Sequence, residues 1–496
     1  MTSKDIDDPK NKRLCYHCIN EQYLHAEVKR NGKRSKCSFC GRNARSYTIQ
    51  EMAERIENAF DQHYRQTSDQ PDFWQQYLIY DKESYYEWEQ DGEPVVSAIS
   101  NAALITEEAA KDIQAILEAK HFDLEAAKLR EEYEFSSTSY YEEKEPSDEA
   151  WQGEWSNFEN SLKAEVRFFS RSMSKHLESI FSSIDIMSTT DGRPVVIYAG
   201  PKANLKTLFR ARVFQSDEKL TESLCRPDLH IGPPPAVLAI AGRMNAHGIS
   251  VFYGSNDQRV AIAEVRPPVG SKVVVGRFDL LRQLRLLDLT ALSSVMEKGS
   301  IFDSGWAYRL ERASFLRSLS LRLTQPVMPD HEAFEYLSTQ VIADFLANEN
   351  DPKVDGIIFP TVQAAGDGLN IVLFHKSSRV ELMTITKGTK IEAKLGRFNE
   401  EGWKPGYSVT EIIPSEKPSV KERSLVQLPE FPRFGNEQKR PIDKDLRDVT
   451  LRIDTDSIQV HIVRSVQYQY ESHEVRRHQS EENGYNKDKM FGDVSL

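Results

Sequence analysis

Two closely spaced cysteine pairs restrict how the N-terminal part of this chain can fold. Cys15 and Cys18 stand in "CYHC", and Cys37 and Cys40 stand in "CSFC", with eighteen residues between the two pairs. This spacing is typical of a tetrahedral zinc site, because each short loop directs two thiolates at one ion. The alternative is two disulfide bonds in a secreted domain, but the start "MTSKDIDDPKNKR" lacks the apolar core of an export signal. We therefore expect a zinc ribbon over residues 1–50 with a structural Zn²⁺ ion.

The composition predicts a folded chain of several domains. Its 496 residues are 39% hydrophobic and 28% charged, which provides apolar material for about two to four cores. No stretch approaches the roughly 20 apolar residues of a membrane span. We expect a cytoplasmic protein without membrane contact.

Charge leaves nucleic-acid binding open. A formal net charge of -12 argues against a nucleic-acid surface over the whole chain. Residues 29–45, however, read "KRNGKRSKCSFCGRNAR" and are locally basic. These cations either contact phosphates or form a solvated face, and the solvated face is the simpler expectation.

Residues 51–190 have a helical pattern. Thr106 stands at the start of "EEAAKDIQAILEAK", whose apolar residues recur at steps of three and four. The same spacing from Phe158 to Ile184 predicts one long amphipathic helix. Within that helix, Arg171 and His176 lie away from the apolar stripe, so we expect surface residues that packing does not need.

Residues 191–376 alternate short apolar runs with helical stretches, which predicts a mixed α/β domain. Residues 377–496 form a C-terminal extension. There, residues 419–444 read as a linker or an arm lying on the main body, and the alternation on both sides of "DTDS" predicts a β-hairpin or two paired strands. From residue 471 onward the composition predicts a disordered tail. The fold class is thus α+β and multidomain.

Several blocks between residues 206 and 374 resemble the RES family. They are "LFRAR", "AGRMNAHGISVFYGSNDQRVAIAE", "LLDLT", "EYLSTQVIADFL" and "DGIIFPTVQAAGDGLNIVLF". The N-terminal region is similar to the HEPN/RES N-terminal domain. The resemblance implies a fold similar to ADP-ribosyltransferase toxins, NAD⁺ as the substrate, and a toxin paired with an antitoxin or another protein partner.

The HEPN resemblance implies further alternatives. It implies a homodimer through the helical domain, and Arg171 and His176 have the spacing of the R-x4-6-H motif with which such domains cleave RNA. Two residue types at a loose spacing recur by chance, so we expect no nuclease centre here. The competing function is an RNA-directed or protein-binding protein in which the RES region is a degenerate scaffold.

The resemblance places a catalytic site at Glu264, Arg210 and Tyr253, with Arg243 binding the dinucleotide. A carboxylate stabilises the oxocarbenium-like state in which nicotinamide leaves ribose. Guanidinium groups pair with two phosphate oxygens at once, and a tyrosine ring offers a flat face for the nicotinamide cation. Taken singly, each residue is better explained as an ordinary surface or core residue, but the four together in one family order favour a site.

One departure from the family concerns its serine. The block after "DGIIFP" has Thr361 at this position, and Ser338 in "YLSTQ" is the other candidate hydroxyl. Both are therefore candidate cofactor-binding residues. The acceptor also stays open, because water gives a glycohydrolase, phosphate a phosphorylase and a protein side chain an ADP-ribosyltransferase.

Overall fold

The computed structural model of the chain describes residues 11–81, 84–123, 133–164, 171–364, 368–400, 402–414, 445–467 and 470–477. The predicted linker at 419–444 lies outside these residues, as does the predicted tail beyond residue 477. None of the helices in the described ranges has both the length and the apolar character needed to cross a bilayer.

The four-cysteine region is a small antiparallel sheet in the order β1–β3–β2. Its elements are β1 (Arg13–Cys15), α1 (Gln22–Asn31), β2 (Lys33–Lys36) and β3 (Asn43–Thr48). The next helix, α2 (Ile49–His63), starts at Thr48, whose hydroxyl accepts from the Glu51 amide while the Glu51 carboxylate accepts from the Thr48 amide. This capping box fixes where the ribbon ends and the helix begins.

A first helical layer follows. It comprises α3 (Phe73–Tyr80), α4 (Val95–Ala103), α5 (Glu107–His121) and a three-stranded sheet of β4 (Tyr64–Gln66), β5 (Glu93–Pro94) and β6 (Tyr140–Glu143). Met52 and Ile56 of α2 are fully buried with Leu14 and Leu24 of the ribbon. The ribbon and these helices therefore share one hydrophobic core.

The structure describes two parts of the predicted long helix. Helix α6 (Glu149–Ala164) precedes six residues outside the described ranges, including Val166 and Phe169, and α7 (Arg171–Phe181) follows. The helix ends before Ile184, which lies in a 3-10 turn, because Ser183 adopts a left-handed backbone with φ 54°. Helices α6 and α7 share a hydrophobic core with residues of the following α/β part of the chain.

The rest of the described chain is organised around an eight-stranded mixed sheet. The strands, including those of two small ribbons, are β7 (Ser188–Thr189), β8 (Val196–Ala199), β9 (Thr207–Phe214), β10 (Phe252–Ser255), β11 (Lys272–Leu280), β12 (Leu284–Asp288), β13 (Val295–Met296), β14 (Gly356–Pro360), β15 (Leu369–Leu373), β16 (Lys390–Asn399), β17 (Gly402–Ile412) and β18 (Leu451–Ile462). The order of strands in the large sheet is β18–β11–β9–β10–β15–β14–β12–β8, and all neighbours are antiparallel except β12 and β14, which are parallel.

Both faces of this sheet are covered. The helices of this part are α8 (Asp217–Cys225), α9 (Pro227–His230), α10 (Gln258–Glu264), α11 (Leu289–Leu292), α12 (Trp306–Thr324) and α13 (Glu332–Asn348). Successive residues of a strand point to opposite faces. Ile357 accordingly joins the core beneath α12 and α13, whereas Ile358 joins the core on the other side.

The hairpin predicted around "DTDS" is wrong. Residues Leu451–Ile462 form one strand, β18, which pairs along its length with β11. Its register shifts opposite Val275 and Arg277, and the Ser457 hydroxyl accepts from the Arg277 amide at 2.9 Å. "DTDS" is therefore a bulge in a strand rather than a turn. The hairpin of this region is β16–β17, which the sequence analysis did not identify.

Candidate active site and cysteine cluster

The four cysteines predicted as metal ligands lie together. The sulfur atoms of Cys15, Cys18, Cys37 and Cys40 are all within 4.8 Å of one another. The Cys15 and Cys18 sulfurs are 3.9 Å apart, those of Cys15 and Cys40 are 3.5 Å apart, and those of Cys18 and Cys37 are 3.8 Å apart. In a regular tetrahedron with metal–sulfur distances of about 2.3 Å, the sulfurs are about 3.8 Å apart. The cluster therefore has the dimensions of a tetrahedral metal site.

The thiols of the cluster differ in the direction in which their pKa values are shifted. Burial and the neighbouring thiols raise the pKa of Cys15. At the exposed end, a hydrogen bond from the Arg42 backbone lowers the pKa of Cys40 to about 7. Four thiols at these distances favour a bound cation, because a metal ion binds the thiolate form and offsets the repulsion between neighbouring thiolates.

A cleft of about 370 Å³ is lined in part by residues of the central strands β9, β10, β14 and β15 of the large sheet. Four of the residues predicted for the NAD⁺ site line it: Arg210, Arg243, Tyr253 and Glu264. They come from β9, the segment before β10, β10 itself and the end of α10. The volume lies within the range of about 300–1,000 Å³ found for small-molecule pockets.

Glu264 reaches the cleft because of how α10 is seated. The Asp257 carboxylate caps this helix by accepting from the Arg259 amide at 2.7 Å, and Ala261 packs on the sheet. Glu264 is the last helical residue. Its Oε1 accepts from the Thr361 hydroxyl at 2.6 Å and from the side-chain Nδ2 of Asn370 at 2.7 Å. Two donors thus hold one carboxylate oxygen, while no described residue bonds to Oε2.

Two residues that the sequence analysis missed belong to this network. The side-chain Oδ1 of Asn370 accepts from the Ser255 hydroxyl at 3.1 Å, and both residues are buried. They are cross-strand partners, since Ser255 of β10 pairs with Asn370 of β15. The only local signal was a polar residue in each of two otherwise apolar strands. This pairing orients the Asn370 amide towards Glu264.

Arg210 lies at the base of the cleft. Its guanidinium donates to the Tyr253 carbonyl at 2.6 Å and lies 5.1 Å from the centre of the Phe252 ring. Its Nε has no hydrogen-bond partner, and within the described ranges no carboxylate pairs with it. Burial, with Arg212 as a second cause, lowers the pKa of Arg210 to about 9. The site therefore contains a half-buried cation that no described carboxylate neutralises.

Arg243 is partly engaged with the protein. Its two terminal nitrogens donate to the carbonyls of Leu323 at 2.5 Å and Gln325 at 2.7 Å, at the end of α12. The guanidinium also lies 5.5 Å from the centre of the Tyr336 ring. A guanidinium has five N–H donors, so donors remain for a ligand in the cleft.

Tyr253 is held by the turn before its strand. Its hydroxyl donates to the Asn245 side-chain oxygen at 3.0 Å and accepts from the Met244 amide at 3.1 Å. Burial raises the pKa of Tyr253 to about 12. The phenol is therefore neutral and fixed, with its ring at the wall of the cleft.

The two candidate hydroxyls, those of Ser338 and Thr361, lie in different surroundings. Ser338 does not line the cleft; it lies in a shallow depression against Glu159 and Lys163 of α6. Its neighbour Thr339 is turned inward and donates to the Arg243 carbonyl, because one helical step rotates the side chain by about 100°. The expected cofactor contact of Ser338 is therefore not supported by its position. Thr361 instead contacts Glu264.

The pair in α7 also differs from expectation. Arg171 is exposed, as predicted, but His176 is largely buried, with ring centres 5.8 Å from Phe158 and 6.4 Å from Trp155. Its Nδ1 lies 3.3 Å from the Glu154 carboxylate, and burial lowers its pKa. The expectation that packing does not need His176 was wrong, because the helical phase of α7 does not show the aromatic residues of α6.

Comparison with known families agrees with the resemblance seen in the sequence. Residues 219–399 match the RES domain, and residues 30–176 match HEPN/RES N-terminal domain 1. No curated protein and no solved structure matches the chain, so the likeness to ADP-ribosyltransferase toxins stays a prediction. The RES match begins after Arg210 and includes Arg243, Tyr253, Glu264 and Thr361. The chain therefore contains a HEPN/RES N-terminal domain and, after it, a RES domain.

Proposed function

We propose that the cleft binds NAD⁺ and cleaves the bond between nicotinamide and its ribose. RES domains are generally associated with enzymes that act on NAD⁺. The observation that carries the proposal is the convergence of Glu264, Arg210 and Arg243 on one cleft. A carboxylate held by two hydrogen bonds, in the same cleft as two guanidinium groups that no described carboxylate pairs, suits a substrate with a cationic reacting end and an anionic pyrophosphate.

The arginines account for binding. A buried cation without a partner is costly, and an anionic ligand offsets that cost. Arg210 is a half-buried cation whose Nε is buried without a hydrogen-bond partner and which no described carboxylate pairs, and Arg243 retains donors beyond the two that contact α12. Both guanidinium groups are assigned to the pyrophosphate, and the Tyr253 ring is assigned to the nicotinamide.

Glu264 accounts for the chemistry. The bond between ribose C1′ and nicotinamide N1 breaks, and its electron pair leaves with nicotinamide. The ribose carries the resulting positive charge, which a carboxylate stabilises. Oε1 is occupied by Thr361 and Asn370, so Oε2 is assigned to the ribose. Water then bonds to C1′ and releases a proton, which gives ADP-ribose; phosphate as the acceptor gives ADP-ribose 1″-phosphate.

The test is direct. Purified protein is incubated with NAD⁺, with and without phosphate, and nicotinamide and the ADP-ribose products are identified by mass spectrometry. A labelled NAD⁺ arm detects transfer to protein. Ser338→Ala is the matched control, since Ser338 lies outside the cleft. Absence of nicotinamide release with every acceptor would favour a degenerate RES scaffold.

We propose that the cysteine cluster binds Zn²⁺ as a structural ion. The support is the sulfur separations of 3.5 to 3.9 Å, which match a tetrahedral thiolate site. Such an ion would connect the loop after β1 to the turn between β2 and β3. Metal analysis of protein purified under reducing conditions without chelator tests this, and a zinc content well below one per chain would contradict it.

A further inference from the structure

The four-cysteine region carries a concentration of unpaired positive charge. Residues 29–45 contain no Asp or Glu, in a chain whose net charge is -12. All the cations of this segment are exposed: Lys29, Arg30, Lys33, Arg34, Lys36, Arg42 and Arg45. Within the described ranges none of them forms a salt bridge. This is a local reversal of the charge of the protein.

Strand alternation sorts part of these cations onto one surface. The hydroxyls of Ser35 and Ser46 are 2.7 Å apart, and Ser46 is fully buried, so this side of the β2–β3 pair faces inward. The alternate residues of the two strands lie on the opposite side, which faces solvent. We call this surface the ribbon face; it consists of Arg34, Lys36, Asn43 and Arg45.

The ribbon face places like charges side by side. Arg34 of β2 is the direct cross-strand partner of Arg45 of β3, and like charges directly opposite are destabilising. Arg45 also donates to the Lys29 carbonyl at 3.2 Å, which brings the cations at the end of α1 close to it. The acids of the α1 segment do not compensate, because Glu21 caps α1 and Glu27 pairs with Arg55 at 2.9 Å.

The position of these cations is fixed by the scaffold. Cys37 and Cys40 lie in the turn that connects β2 to β3, inside the cysteine cluster. Along a strand, residues on one face are about 7 Å apart, and cross-strand neighbours are about 5 Å apart. A rigid array of cations at this spacing suits a ligand whose negative charges also recur regularly.

We propose that the ribbon face binds the phosphate backbone of a nucleic acid strand. A protein partner would require an apolar centre to its interface, but Tyr23 is the sole exposed large hydrophobic residue in the described part of the ribbon, residues 11–48. Binding to a phosphate backbone requires only cations at a suitable spacing. Cation density without an apolar patch therefore favours nucleic acid over an acidic peptide.

The experiment measures binding of full-length protein by fluorescence anisotropy. The probes are short labelled single-stranded RNA, single-stranded DNA and duplex DNA, with a polyglutamate peptide as the acidic competitor. The double variant Arg34→Glu, Lys36→Glu is compared with Lys202→Glu, Lys206→Glu, which makes the same charge change at exposed lysines before β9. Metal content and melting temperature confirm that both variants are folded.

The ribbon-face variant is expected to lose at least about tenfold in affinity, whereas the control keeps the parent affinity. For a single strand, each lost phosphate contact makes the negative slope of log affinity against log salt shallower by about 0.7, so the loss of two contacts makes it shallower by about 1.4. The probe bound most tightly identifies RNA or DNA as the ligand. The proposal is overturned if no probe binds, if both variants weaken binding equally, or if polyglutamate competes as well as nucleic acid.

Discussion

Replacing Glu264 by Gln tests the proposed reaction with little disturbance of the fold. Thr361 and Asn370 both donate to Oε1, and the Gln side-chain carbonyl accepts the same two hydrogen bonds. The substitution therefore preserves the shape and the protein contacts while removing one negative charge next to the assigned ribose position. We expect a melting temperature within about 2 °C of the parent, since neither a cavity nor an unsatisfied buried group is created.

The expected loss of turnover follows from the contact that disappears. Removing one preorganised electrostatic contact to a transition state typically costs about 10²–10³ in rate, or about 2.7–4 kcal/mol. Because Oε2 has no partner among the described residues, its charge is assigned wholly to the substrate, and we expect a loss in this range. Binding of NAD⁺ is expected to change less, because the assigned pyrophosphate contacts are unaltered.

The assay is nicotinamide release followed by mass spectrometry at saturating NAD⁺. Glu332→Gln is the matched control, because Glu332 is the other carboxylate that lines the cleft and it accepts from the Tyr336 hydroxyl at 3.2 Å. This control should keep its rate within about threefold of the parent. Parent-level turnover by Glu264→Gln in a folded preparation would refute the assignment.

Substitutions at three other residues test separate parts of the structure. Thr361→Ser should keep turnover, whereas Thr361→Val should lose about tenfold or more, since a hydrogen bond to a charged group contributes about 1.5–3 kcal/mol; equal rates would show that the hydroxyl is not needed. Cys37→Ser should abolish binding of about one zinc per chain and lower the melting temperature, and an unchanged metal content would exclude this ligand. The pKa of His176 is lowered from 6.5 by burial, so the unfolded state binds its proton more readily. Its contribution to stability is therefore present above about pH 6.5 and falls at lower pH; His176→Phe should reduce this acid sensitivity in melting curves, and an identical pH profile would contradict the argument.

Local sequence determined the cysteine cluster and the order of the main blocks. The two C-x2-C pairs predicted four sulfurs around one point because short loops restrict where each thiolate can lie, and the sulfurs do lie together. The order of the RES blocks likewise predicted that Arg210, Arg243 and Glu264 belong together, and they line one cleft. Their proposed roles stay predictions.

Tertiary structure decided the contacts between distant segments. Ser255 and Asn370 are 115 residues apart in the chain, so only the register of β10 with β15 brings them together. The alternation in β18 is the same for a hairpin and for a strand, and its partner β11 lies far upstream. Ser338 and Thr339 are adjacent and chemically alike, yet the orientation of α13 turns one towards α6 and the other towards Arg243. Periodicity within a segment reveals which face is apolar, but the surface it contacts depends on the rest of the chain.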